Sequence, residues 1–318
     1  MKRAVAVLAA VVLVAAAVVL RDRIGGGGGG DEAPEPSVAA VVGCVEEAED
    51  ACQEATGGLA LILSAGDALD RLVADPLAPP DAEVDAWVLP RYVVEAVEAQ
   101  RSRAAAPPAF EEVSAPVAYT TVVPVGVPER LDGLERACAR PVDWACLAEN
   151  AGRSWADLGE AFPRSARLGL DPPTSSATGL LAVGALGTAA LGPVDPNQTE
   201  TQAWYQDLYR NRLADQQFGQ SALAALATRP GTYDVAAALA VDAVGVAAAN
   251  PRVEVVEADP GVVLDIVVAS GAGRGLDEGL VDDVSAELVL AGWEDGDPPT
   301  SLAPGGDVLA ALRNITGR

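Results

Sequence analysis

The sequence has no histidine, and its single lysine is Lys2. The first absence removes His-dependent triads and His metal sites. The second removes lysine Schiff bases and Ser-Lys dyads from everything beyond the N-terminal end. Basic residues are few as well: 21 Lys and Arg stand against 46 Asp and Glu, for a net charge of −25. A surface of that sign repels phosphate backbones and anionic headgroups, which excludes nucleic-acid binding and broad docking on a bilayer. Aromatics are scarce and arginine almost wholly replaces lysine, a bias of composition that carries no functional signal. For catalysis there remain carboxylate pairs, which so many acids supply by chance, and no spacing selects one. The chain is therefore expected not to be an enzyme and to need no cofactor.

What is present begins with an apolar run. Residues 4–20 are uninterrupted Ala, Val and Leu, with Lys2 and Arg3 before them and Arg21, Asp22 and Arg23 after. The run has the length of a short spanning helix and exceeds the usual apolar core of a cleaved signal. Residues 1–24 are thus expected to form a cytoplasmic stub and an uncleaved transmembrane anchor, with the remainder outside the membrane. Six consecutive glycines at 25–30, followed by acids and prolines, make 25–37 a flexible spacer. The string Val41-Val42-Gly43-Cys44 resembles a lipoprotein cleavage box but lies beyond that spacer, so it reads as the end of a first strand.

Half of the residues are hydrophobic, enough to bury a core in one large domain or in two lobes. From residue 38 onward short apolar runs alternate with helical patterns, the signature of parallel-sheet α/β units. Strands are expected over 38–43, 59–63, 84–88, 117–125, 167–170, 253–257 and 262–268. Helices are expected over 46–55, 67–73, 91–100, 177–191, 202–227, 235–248 and 276–291. The four cysteines fall as Cys44 with Cys52 and Cys138 with Cys146, two pairs of equal spacing. Two local disulfides are the simplest of three connectivities in an oxidising compartment; four buried thiols are the alternative. Neither pair has the close spacing of a zinc site.

Several segments carry a further pattern. Leu61-Ile62-Leu63-Ser64-Ala65-Gly66-Asp67 runs from a strand through a small polar residue into a helix, and Val84-Asp85-Ala86-Trp87-Val88 is a strand bearing Asp and Trp. Ala115-Pro116-Val117-Ala118-Tyr119-Thr120-Thr121 leads into a long strand. Leu170-Asp171-Pro172-Pro173-Thr174-Ser175-Ser176-Ala177-Thr178-Gly179 is an Asp-Pro turn whose hydroxyls open a helix. Thr232-Tyr233-Asp234-Val235 follows, and then the 262–268 strand, a terminal helix and Gly292-Trp293. In this order, across residues 38–293, they resemble the type II periplasmic-binding-protein superfamily, the solute-binding components of bacterial ABC importers and their envelope relatives. The resemblance implies an α/β fold of two lobes with a cleft between them, lobe 1 from 38–119 and 262–318 and lobe 2 from 120–261.

In such a fold a ligand sits between the lobes, at the carboxyl ends of strands and at helix starts. Thr174, Ser175 and Ser176 set hydroxyls beside helix-start amides, a combination able to bind an oxyanion or carboxylate without a basic residue. Ser176 stands where the relatives usually have glycine, and each of the three is equally readable as a helix cap. Ser64 and Gly66 are expected to face them across the cleft, Trp87 to supply an aromatic wall, and Tyr233 and Asp234 to add a hydroxyl and a carboxylate. The plain readings of these are a strand-to-helix turn, a core tryptophan and a structural turn. The function implied is a membrane-tethered extracellular solute-binding protein. It would close on a small ligand, with an oxyanion or carboxylate as the candidate, and present it to an ABC-transporter permease or a membrane sensor. The alternative is a binding-protein-like envelope scaffold that has lost its ligand. A secreted hydrolase would need two acids spaced for acid–base work in a deep cleft.

Overall fold

A computed structural model describes residues 41–75, 83–214, 219–229, 231–271 and 273–316. The expected anchor and spacer lie outside these residues, and among the described residues no helix is long and apolar enough to cross a membrane. Nine strands form one mixed sheet. They are β1 (Val42–Val45), β2 (Ala60–Leu63), β3 (Ala86–Pro90), β4 (Phe110–Val113), β5 (Ala118–Gly126), β6 (Leu168–Gly169), β7 (Val235–Leu239), β8 (Glu254–Val255) and β9 (Val262–Gly271). The order is β2-β1-β3-β9-β5-β7-β6, with β4 against β9 and β8 against β5. β1 runs parallel to β2 and β3, and β6 runs parallel to β7.

The two long strands hold the sheet together. β5 and β9 pair antiparallel over 118–122 and 262–266. Beyond that stretch β9 continues along β3 and β5 continues along β7, so the β2-β1-β3 half and the β7-β6 half are joined through two strands. Branched apolar residues dominate both, as strands covered on two faces require.

Eleven helices surround the sheet among the described residues. After a 3₁₀ turn at Glu46–Ala48 come α1 (Glu49–Ala55), α2 (Ala65–Val73), α3 (Arg91–Arg103), α4 (Pro128–Cys138) and α5 (Trp144–Asn150). The remainder are α6 (Ala177–Leu191), α7 (Thr199–Asp207), α8 (Ala222–Thr228), α9 (Ala240–Ala249), α10 (Glu278–Leu290) and α11 (Gly306–Thr316). α6 is apolar all round and buried from Ala177 to Gly187, and it packs against α5, α11 and the sheet, the environment such a helix needs. The larger apolar core runs from Val42 through Leu186 to Leu312, while a smaller one collects Val123, Leu223, Leu226 and Val253 beside β7.

Both disulfides are formed, Cys44–Cys52 fastening β1 to α1 and Cys138–Cys146 fastening the end of α4 to α5. The free-thiol alternative is thereby excluded, and Cys44, buried and bonded, is a strand residue rather than a lipid attachment site. Two expected helices are corrected. Residues 235–239 are a strand, because the buried segment Val-Ala-Ala-Ala-Leu is claimed by β5 on one side and β6 on the other. The expected 202–227 helix breaks: a π turn at Leu208–Arg212 ends α7, Leu213 turns extended, and Ser221 caps a new helix by accepting from the Ala224 amide. Helices α4, α5 and α11 were not anticipated, since their apolar residues are thinned by charge and by short length.

Candidate functional site

Three of the parallel strands, β1, β6 and β7, end at Val45, Gly169 and Leu239, and acids follow at once: Glu46 and Glu47, Asp171, and Asp242. Loops at the carboxyl ends of such strands share one crevice. Here they line a cleft of about 710 Å³, to which Glu49 and Asp50 of α1 add two more acids. Leu288, Ala291 and Trp293 complete the wall on the β1 side, and Ser175, Ser176 and Gln220 belong to the opposite one. Among the described residues no lysine or arginine lines it.

The start of α6 shows how the walls are joined. Ser176 caps the helix, its Oγ accepting from the Gly179 amide at 3.2 Å. The next free amide, that of Ala177, donates to Glu47 Oε1 at 2.8 Å, so a carboxylate from the far wall occupies the anion position of the helix. Glu47 Oε2 is sequestered from solvent and has no hydrogen-bond partner. Burial pushes the Glu47 carboxyl up to about 6; the Ala177 amide opposes this, and Glu46 and Asp171 add to it. Asp171 Oδ1 accepts from the Ala222 amide at 2.7 Å, capping α8, and burial raises this carboxyl, with the charge of Asp242 adding to the shift. Asp242 is solvent-exposed at the mouth, yet partial desolvation raises it too. Gln220 Oε1 is a second sequestered acceptor without a partner.

The structure brings some expected residues together and separates others. Gly66 donates its amide to Ser175 O at 3.0 Å, and a Cβ there would lie 2.0 Å from Thr174 O, so the α2 start and the 174–176 turn are in direct contact. Arg313 holds the same turn from outside, donating to Thr174 O at 2.7 Å while pairing with Asp70. Ser64 caps α2 by accepting from the Asp67 amide. Ser175 and Ser176 therefore reach the cleft, whereas Ser64, Gly66 and the exposed Thr174 do not line it.

Trp87, Tyr233 and Asp234 do not line the cleft. Trp87 is 1 % exposed within the sheet core, and the tryptophan that lines the cleft is Trp293. Tyr233 is buried on Gly169, where its ring fills the space a Cβ would need. Asp234 is a structural hub: it accepts from Trp155 Nε1 at 3.1 Å and from the Arg167 amide at 2.9 Å, and pairs with Arg130 at 3.1 Å. Sequence reasoning missed Glu47, Asp171, Gln220, Asp242 and Trp293 as wall residues. The available signal was the placement of acids directly after strand ends.

No family model matches the chain, and no curated protein matches it. Solved structures share its fold. A periplasmic thiamin binding protein superposes with a TM-score of 0.53 at 11 % identity, covering 88 % of this chain and 96 % of that one. Iron-bound HitA from Pseudomonas aeruginosa gives 0.51 at 14 % identity over 88 % of this chain and all (100 %) of that one. The periplasmic binding protein AfuA from Actinobacillus pleuropneumoniae, with exogenous fructose-6-phosphate bound, gives 0.50 at 14 % identity over 87 % and 96 %.

Proposed function

Because this chain has the two-lobed α/β fold of the type II periplasmic binding proteins, we propose that it is a membrane-tethered extracellular solute-binding protein. Residues 4–20 anchor it and 25–37 space it from the bilayer. Lobe 1 (38–119 and 262–318) and lobe 2 (120–261) close on a small solute and present it to a transporter permease or membrane sensor. The observation that carries the reading is the cleft of about 710 Å³, the size of a small-molecule site, whose walls come from the two half-sheets joined through β5 and β9.

Thermal unfolding of the full chain in mild detergent, against amines, oxyanions, carboxylates, sugars and amino acids, tests it. A solute at 100 times its Kd stabilises the fold by about 2.7 kcal/mol. Asp242→Trp, which fills the cleft mouth from an exposed helical position, abolishes that shift if the solute sits there. No shift with any class favours the ligand-free scaffold, a reading supported by the self-satisfied amides of Gly66 and Ala177. The acids lining the cleft also leave a hydrolase reading open to test. Turnover of a fluorogenic glycoside would replace binding with that activity.

A further inference from the structure

The helix-start amides that would attract an anion are already taken within the protein, by Glu47 at Ala177 and by the Ser175 carbonyl at Gly66. What the walls offer is acceptors. Among the described residues six carboxylates line the cleft (Glu46, Glu47, Glu49, Asp50, Asp171 and Asp242), with no basic side chain among them. Asp242 makes no hydrogen bond or ion pair among the described residues. Glu47 Oε2 and Gln220 Oε1, on opposite walls, are sequestered acceptors with no donor. A buried acceptor without a donor is costly, and an enclosed negative charge without a counter-charge more so. Desolvation raises the carboxyls of Glu47, Asp171 and Asp242 alike.

The spread of the acids decides between kinds of cation. Among the described residues no three acids converge as ligands of a single metal ion. The acids are distributed around a space far larger than an ion, and Trp293, 5 % exposed, borders it from the core. Resting on the solute-binding reading, we infer that the solute is an extended organic cation carrying two or more ammonium or guanidinium groups, held between the acidic walls of this cleft. Its N–H groups donate to the exposed carboxylates of Glu46, Glu49, Asp50 and Asp242, and its charge offsets the uncompensated negative charge of Glu47 and Asp171.

Titration calorimetry of the full chain in detergent with spermidine, putrescine, agmatine, sulfate and citrate tests this at physiological salt. One equivalent of an amine is expected to bind saturably while the anions give no heat. Asp242→Asn and Glu46→Gln are each expected to weaken binding by about tenfold or more. The control is Asp132→Asn with Glu135→Gln, exposed on α4 away from the cleft, and it leaves affinity unchanged. Equal weakening in the control marks diffuse attraction to an acidic surface and overturns the inference. Binding of sulfate or citrate, abolished by Asp242→Trp, also overturns it while the solute-binding reading stands. Silence toward every class removes both.

Discussion

Glu47 caps one wall of the cleft with one oxygen and leaves the other without a donor. Its folded value, about 6, lies above the ordinary 4.5, so between these values the folded protein keeps a proton that the unfolded chain releases. The contribution of this carboxyl to stability is therefore greatest below pH 4.5 and is lost as pH rises through about 6, by about 2 kcal/mol. The groups facing this carboxyl, Glu46, Asp171 and Tyr92, bring no positive charge, and the Ala177 amide is its donor. Glu47→Gln keeps an acceptor for that amide, so urea denaturation is expected to show a variant about 2 kcal/mol more stable at pH 7 and flatter from pH 4.5 to 6. A variant that is weaker at pH 7 with an unchanged pH slope would contradict this. A bound cation reverses the sign by favouring the carboxylate, so amine affinity falls by up to about tenfold per unit as pH drops below 6. Asp234 shows what a purely structural acid does. Asp234→Ala leaves Arg130, Trp155 Nε1 and the Arg167 amide without their acceptor, and is expected to cost about 3 to 5 kcal/mol in chemical denaturation. Solute affinity of the folded fraction stays as it was.

At the scale of elements, the two short disulfides act where helices leave the sheet. Each closes an eight-residue separation, and replacing Cys44 and Cys52 together by alanine is expected to lower stability by about 2 to 3 kcal/mol. A denaturation midpoint unchanged from wild type would contradict that. These pairs were legible because their spacing is local. Helix α6 was legible too, as an unbroken apolar run opened by Ser176 and closed by Gly192. Strand β7 was not: its Ala-rich stretch favours a helix, and only pairing with β5 and β6 makes it extended. The serines at 175 and 176 were legible as residues of a helix start. That the neighbouring amides are spent on Glu47 and Ser175 was not, because those partners lie 130 residues apart in one case and in a facing turn in the other. The acidic lining was hidden for the same reason, being assembled from segments around 46–51, 171–176, 220 and 242.

For the whole molecule, the charge of −25 has a local counterpart, since six of the acids among the described residues converge on this cleft. Two long strands join the half-sheets, which allows a hinge, while the larger core runs through both halves and limits its travel. Binding is thus expected to tighten existing contacts between walls more than to swing lobes through a wide angle. Hydrogen exchange of the full chain, with and without the solute that stabilises it, reads this directly. The account predicts slowed exchange together in 46–51 and 171–178, on the two sides of the cleft, and none in α4. Protection confined to one wall, or centred on a surface away from the cleft, would contradict a solute held between the two halves.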